Sequence, residues 1–122
     1  MGAHRLFRAS SLTGMERIMA DVCVAGIQSL AAKLPPPKVI EPRFYRIPAV
    51  TGEVGYVIER RGRLVLALQL LDCQQCMAVN LRHEYAHVLD RATMEASGEL
   101  HGDGFYQCLG QVDAYGDSHG TS

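Results

Sequence analysis

The strongest pattern in the 122-residue chain lies in residues 72–91, which have the sequence DCQQCMAVNLRHEYAHVLDR. Asp72 and Gln75 have the spacing of a capping box, so the stretch predicts a helix from about Cys73 to Arg91. Apolar residues recur along it at helical spacing, which indicates one face packed against a core. That stripe consists of Met77, Leu81, Tyr85, Val88 and Ala92.

A different face of this predicted helix carries His83, Glu84 and His87 in an H-E-x-x-H spacing. Histidines four residues apart project from one side of a helix, where both can bind one tetrahedral Zn²⁺ at about 2.0–2.1 Å. Glu84 can then act as the general base toward a water that the metal activates. The pattern is typical of zinc-dependent hydrolases, most often metalloproteases. A chance match in an unrelated helix is the alternative.

Asp90 returns almost to the bearing of His83, because seven residues make nearly two helical turns. Its carboxylate can accept a hydrogen bond from the second nitrogen of a ligand histidine, which is a common arrangement behind metal sites. An ion pair with Arg91 or another surface cation is the equal alternative.

A catalytic zinc site needs a third protein ligand. The metzincin spacing requires glycine at position 90 and histidine at position 93, whereas Asp90 and Thr93 occupy them. A gluzincin would use a downstream glutamate, and Glu95 and Glu99 lie there in a predicted loop. Neither pattern is therefore a good match.

His101 is the best candidate for the third ligand. It follows His87 by fourteen residues, a length that lets a loop fold back beside the first two histidines. Gly102 permits a tight turn there. Phe105 can anchor the next helix in the core and so hold His101 in place. A plain surface histidine is the alternative.

The rest of the chain predicts further elements around this helix. Thr13 and Glu16 have capping-box spacing before an apolar helical stripe, which the prolines at 35–37 end. Arg61-Gly62 suits a two-residue hairpin turn. The predicted elements are a helix over 13–34, strands over 39–47, 53–60 and 63–70, and a short last helix over 103–115. This order predicts an α+β domain over 13–115, between a loose leader at 1–12 and a frayed tail at 116–122.

The predicted strand over 63–70 leads directly into the H-E-x-x-H helix. Its apolar run from Leu64 to Leu68 predicts burial on both faces, or the lining of a groove. If this strand lies at the edge of the sheet, an extended substrate could add to it as a further strand.

Composition excludes several classes of protein. The net charge of −1 predicts no strong nucleic-acid-binding surface. No apolar run is long enough for a membrane span, and no secretory signal is evident, so a cytoplasmic location is expected. The four cysteines are then expected as reduced thiols. Cys73 and Cys76 form a C-x-x-C pair, but a zinc ribbon needs a second pair, and a structural role is favoured.

The H-E-x-x-H motif at 83–87 and the H-G-x-x-F segment at 101–105 resemble those of the SprT-like zinc metalloproteases, the group that includes the Spartan proteases. The order of elements over 13–115 is similar to that compact zincin-like core. The resemblance implies a zinc metalloendopeptidase that acts on a protein or peptide substrate. It also implies Zn²⁺ bound by His83, His87 and His101, with Glu84 as general base.

Many SprT-like proteins act on DNA-bound proteins through a C-terminal zinc ribbon or DNA-binding region, of which the sequence shows no sign. The stretch at 85–90 is also similar to ImmA/IrrE-type regulatory zinc proteases. A zinc-binding adaptor without turnover, or a DNA-associated module that uses the arginines at 60–63, are further alternatives. The intact Glu84 favours an enzyme, since a structural zinc site needs no general base.

Peptide hydrolysis also needs a donor for the developing oxyanion. Tyr106 and Tyr115 in the last helix are the candidates that the sequence offers. Either can equally be a packing or surface tyrosine.

Overall fold

A computed structural model describes residues 5–46, 54–91 and 101–119, with side chains up to residue 114. These residues form an α+β domain of three α-helices and a three-stranded mixed sheet. The elements are α1 (Gly14–Lys33), β1 (Ile40–Tyr45), β2 (Gly55–Arg60), β3 (Arg63–Gln69), α2 (Gln74–Leu89) and α3 (Asp103–His119). The predicted order of elements is therefore confirmed.

The sheet has the strand order β1-β3-β2, with β1 parallel and β2 antiparallel to β3. The hairpin turn between β2 and β3 has φ values of 54° at Arg61 and 76° at Gly62. Positive φ values at both positions let a two-residue turn match the twist of the two strands that it joins. Pro42 lies in β1 at the edge of the sheet, where its missing N–H costs no ladder bond.

β3 is the central strand, and Leu64 to Leu68 are buried on both of its faces, as their apolar run predicts. The alternative of β3 as an exposed edge that receives a substrate is wrong. β1 and β2 occupy the two sides of β3, which leaves no free edge on it. The edge strand beside the candidate site is β2, and not β3.

The core lies between the sheet and the helices. Leu64, Leu66 and Leu68 alternate on one face of β3 and pack into a single apolar cluster with residues of α1, α2 and α3. The helices α1 and α2 cross closely at Gly26. A Cβ added to this glycine would lie 3.0 Å from Cδ2 of Leu81. The Tyr85 hydroxyl of α2 donates a hydrogen bond to the carbonyl of Leu34, just after α1 ends.

Residues 5–12 pack against the domain, whereas the sequence predicted a loose leader there. Phe7 pairs with Phe44 through two backbone hydrogen bonds of 2.7 and 2.9 Å. Leu12 is 2% exposed and belongs to the core. The last helix runs to His119 and so includes part of the predicted tail. Backbone pairing of Phe7 and burial of Leu12 hold the N-terminal segment in place, and its composition indicates neither.

The N-termini of α1 and α2 are capped differently from the predicted capping boxes. Thr13 is the N-cap of α1 but makes no side-chain cap bond, and Glu16 pairs with Arg46 at 2.9 Å instead. Cys73, and not Asp72, is the N-cap of α2. Cys73 also forms a disulfide with Cys76, whereas all four cysteines were expected to be reduced thiols.

Across residues 5–46, 54–91 and 101–119, none of the helices combines the length and the apolar character that crossing a bilayer demands.

Candidate metal centre

Three histidines converge at the end of α2. His83 and His87 lie on one face of α2, and His101 reaches the same point from just before α3. Their Nε2 atoms form a nearly equilateral triangle with separations of 3.2 Å (His83 to His87), 3.3 Å (His83 to His101) and 3.2 Å (His87 to His101). Three histidines are thus close enough to bind one metal ion.

This triangle fits a metal better than it fits a hydrogen-bonded cluster. Two ligands of a tetrahedral ion with bonds of about 2.0–2.1 Å lie about 3.3–3.4 Å apart. A neutral imidazole offers at Nε2 either one N–H or one lone pair. No distribution of protons therefore lets all three Nε2 atoms pair with one another. Convergence of the three atoms on a single cation removes this conflict.

The ring of Phe105 packs against all three imidazoles. Its ring centroid lies 4.3 Å from that of His87, 4.8 Å from that of His101 and 5.0 Å from that of His83. The Phe105 side chain is 1% exposed, in the first turns of α3. Phe105 lies in the core as predicted, and its contact with His101 is compatible with the predicted role of holding that histidine.

The surroundings keep the histidines of α2 uncharged. Burial is the main cause that lowers the pKa of His87 to about 4, and the nearby His83 and His101 add to it. Burial, followed by the effect of His101, also lowers the pKa of His83. Neutral imidazole is the form that binds metal ions, so these two side chains are ready to act as ligands at neutral pH.

Glu84 lies beside the three histidines, in the wall of an open cleft of about 380 Å³. Glu84 is only 6% exposed, which is unusual for a carboxylate. The cleft is lined by residues of β2, α2 and the His101 segment, namely Val54, Gly55, Tyr56, Val79, Asn80, His83, Glu84, His87 and His101.

Gly55 makes room for Glu84, and sequence reasoning missed it. A Cβ at Gly55 would lie 2.9 Å from Cγ of Glu84 and 3.1 Å from the carbonyl oxygen of Ala67. The first residue of β2 therefore has to be glycine for the Glu84 side chain to occupy its place. A glycine that begins a strand is a weak signal, because only the fold brings Glu84 against it.

Asp90 is buried, at 2% exposure, and is the C-cap of α2. Its Oδ1 atom has no hydrogen-bond partner in the described part of the chain. The proposed hydrogen bond from a ligand histidine to Asp90 stays a prediction. Arg91 pairs with Glu59 at 3.6 Å, and the ion-pair alternative for Asp90 likewise stays a prediction.

The two tyrosines proposed as oxyanion donors are placed differently. Tyr106 is 60% exposed, contacts Phe105 with its ring and does not line the cleft. Tyr115 lies in α3, but its side chain is outside the described residues, as are the alternative ligands Glu95 and Glu99. Tyr56 of β2 does line the cleft, and the sequence pattern gave no reason to select it.

No protein-family model, curated protein or solved structure matched this chain. Geometry and chemistry of the site therefore have to carry any statement on function.

Proposed function

We propose that the protein is a zinc-dependent peptidase with a zincin-like, SprT-like core, in which His83, His87 and His101 bind Zn²⁺ and Glu84 is the general base. One observation carries the proposal: three Nε2 atoms 3.2–3.3 Å apart stand in an open cleft whose wall contains a buried glutamate. An α+β domain with a three-stranded sheet is compatible with that core.

Three histidines favour a catalytic over a structural role for the metal. Structural zinc sites are closed by four protein ligands, whereas catalytic sites have three and leave one position for water or substrate. The described residues supply three. The three histidines line an open cleft, whose wall also includes Val79 and Asn80.

In the proposed reaction Zn²⁺, when bound, acidifies a water nucleophile and polarises the scissile carbonyl. The Glu84 carboxylate takes the proton of that water and then donates it to the leaving amine. Glu84 lines the cleft, with its Cγ in the space that the absence of a Cβ at Gly55 leaves. The neutral state of His83 and His87 preserves their lone pairs for the ion. Tyr56, in the cleft wall, joins Tyr106 and Tyr115 as a candidate donor to the oxyanion.

An extended peptide can pair with β2. β2 is bonded on one side to β3, and no further described strand lies on its other side. Val54, Gly55 and Tyr56 at the start of β2 line the cleft, so a peptide added there would pass the histidines. Backbone pairing of this kind favours broad recognition of unfolded segments of protein.

A DNA-associated role is less well supported. The hairpin arginines belong to a surface of mixed charge, because Arg63 pairs with Glu41 at 3.2 Å and the neighbouring Glu59 pairs with Lys38. The resemblance to proteases that act on DNA-bound proteins is the reason to include such proteins among the substrates tested.

Metal content of the purified protein tests the ligand set. We expect one zinc per chain in the wild type and its loss in His101→Ala. His119→Ala is the matched control, because His119 is the last of the seventeen residues of α3 and lies roughly 25 Å along the helix from the site. Zinc that persists in His101→Ala would remove His101 from the ligand set.

Cleavage of an unfolded protein substrate tests the reaction. We expect Glu84→Gln to retain zinc and to lose activity by about 10²–10⁴-fold, the usual contribution of a general base. Retained activity in Glu84→Gln would make the general-base assignment wrong. Absence of activity in a zinc-loaded wild type, across folded, unfolded and DNA-bound substrates, would favour the adaptor alternative.

A further inference from the structure

A second reactive group lies at the opposite end of α2. Cys73 and Cys76 form a disulfide, with their Cα atoms 5.1 Å apart. Cys73 is half-buried at the N-cap and Cys76 is exposed in the first turn. The backbone N–H of Cys76 donates a hydrogen bond of 3.0 Å to Sγ of Cys73. The pair follows directly after the buried strand β3.

The disulfide lies on the same side of α2 as the metal centre. Seven residues turn a helix by nearly two full turns, so Cys76 has almost the bearing of His83 and is about 10 Å from it along the axis. Asn80 and Val79, which lie between them, line the cleft. The disulfide itself lies outside the lining of the cleft.

We propose that Cys73 and Cys76 are a redox-active pair that is reduced and reoxidised by thiol–disulfide exchange with a dithiol. This site is separate from the proposed peptidase function and does not depend on it. Three observations carry it: the exposure of residue Cys76, the hydrogen bond to Sγ of Cys73, and the position of both at a helix N-terminus, where a thiolate is stabilised.

The exchange proceeds in two steps. A thiolate of the dithiol attacks Sγ of Cys76, a new sulfur–sulfur bond forms, and the bond to Cys73 breaks with its electron pair left on Cys73. The N–H of Cys76 and the helix N-terminus stabilise that anion. The second thiolate of the dithiol then attacks the first sulfur of the same dithiol, which is bonded to Cys76 in the mixed disulfide. The bond to Cys76 breaks, and Cys76 leaves as a thiolate. The dithiol becomes a disulfide, the pair gains two electrons, and the two protons of the dithiol end on Cys73 and Cys76.

The other two cysteines are internal controls. Cys23 is 4% exposed in the core, and burial raises the pKa of its thiol to about 11. Burial, and then the charge of Asp90, raises the pKa of Cys108. Since thiolates are the reacting form, neither residue is expected to exchange at neutral pH. The structure thus concentrates thiol reactivity at the start of α2.

The test equilibrates the folded full-length chain with dithiothreitol at a series of reduced-to-oxidised ratios. Acid quenching, unfolding and alkylation then give the number of thiols by intact mass. We expect a single transition from two to four thiols, with a tenfold change in the dithiothreitol ratio producing a tenfold change in the ratio of the two species. Brief labelling before unfolding should leave Cys23 unmodified, which shows that the protein stayed folded.

Cys73→Ser and Cys76→Ser are the matched variants. Each should have three thiols at every ratio, because the exchanging partner is absent. A transition that persists in either variant would assign the disulfide to other cysteines. Two thiols at every ratio would show a structural disulfide beyond the reach of the dithiol, and four thiols at every ratio would show that the pair does not close. Each of these results would overturn the proposal.

Discussion

The two faces of α2 are stabilised in opposite ways. On the core face, Met77, Leu81 and Tyr85 are at most 6% exposed and pack among other apolar side chains. On the cleft face, His83 and His87 hold their ring nitrogens 3.2 Å apart with no carboxylate between them in the described residues. The core face depends on volume and apolar area, which many side chains can supply. The cleft face depends on the identity of single atoms.

Leu81→Ala should give the largest effect on stability and leave the cleft face intact. Removal of a buried leucine side chain costs about 2–5 kcal/mol of unfolding free energy, and Leu81 also contacts α1 at Gly26. Chemical denaturation measures the loss, and metal content per folded chain should be unchanged. Loss of metal from chains that are still folded would show that the two faces are coupled.

Gly55→Ala should act mainly on the cleft, although its methyl group would also lie 3.1 Å from Cδ2 of Leu68 in the core. The added methyl group would lie 2.9 Å from Glu84 Cγ, so the carboxylate must move. We expect peptidase activity to fall by about tenfold or more, because small misplacements of catalytic groups are costly.

Gly110→Ala in α3 is the control for that variant, since nothing lies within 4 Å of a Cβ there. It should keep full activity and gain about 0.5–1 kcal/mol of stability from better helix propensity. Equal activity in the two alanine variants would argue against a positioning role for Gly55.

Tyr85→Phe isolates one polar contact on the core face. It removes the hydroxyl that donates to the Leu34 carbonyl but keeps the buried ring. The expected loss is about 1 kcal/mol, the usual net value of one hydrogen bond. Thermal unfolding checks it, and a variant as stable as the wild type would show that water or another donor replaces the hydroxyl.

The pH dependence of the metal-free protein between pH 7 and pH 6 should give the smallest effect. The pKa of His87 is lowered to about 4, so the unfolded chain, with an ordinary histidine pKa of 6.5, takes up a proton first as the pH falls. Stability should therefore be level above pH 7 and decline from about pH 6.5 toward pH 4. Between pH 7 and pH 6 the decline should be smaller than the loss in Tyr85→Phe. A His87→Gln variant should show a weaker decline.

The sequence predicted what depends on local periodicity and special residues. The helical stripes, the prolines after α1 and the Arg61-Gly62 turn each determine their own element, and the histidine spacing determines one face of α2. The role of His101 could be predicted from the sequence for the same reason, because its neighbours Gly102 and Phe105 indicate a turn and an anchor.

Features that depend on non-local pairing were not predictable. The apolar run of β3 is compatible with several sheet positions, and only the parallel pairing with β1 makes it central. Phe7 is ordered by a bridge to Phe44, far along the chain. Gly55 and Tyr56 belong to the site because the sheet presents β2 to α2, a relation that no spacing along the chain reveals.

The three histidines come from two segments, with His83 and His87 in α2 and His101 just before α3. An ion bound there would cross-link the two helices and close the loop of chain between them. Stability would then rise with the concentration of free metal, by about 4 kcal/mol at a thousandfold excess over the dissociation constant. The melting temperature would serve as a gauge of metal occupancy, and a chelator would lower it without touching a single residue of the core.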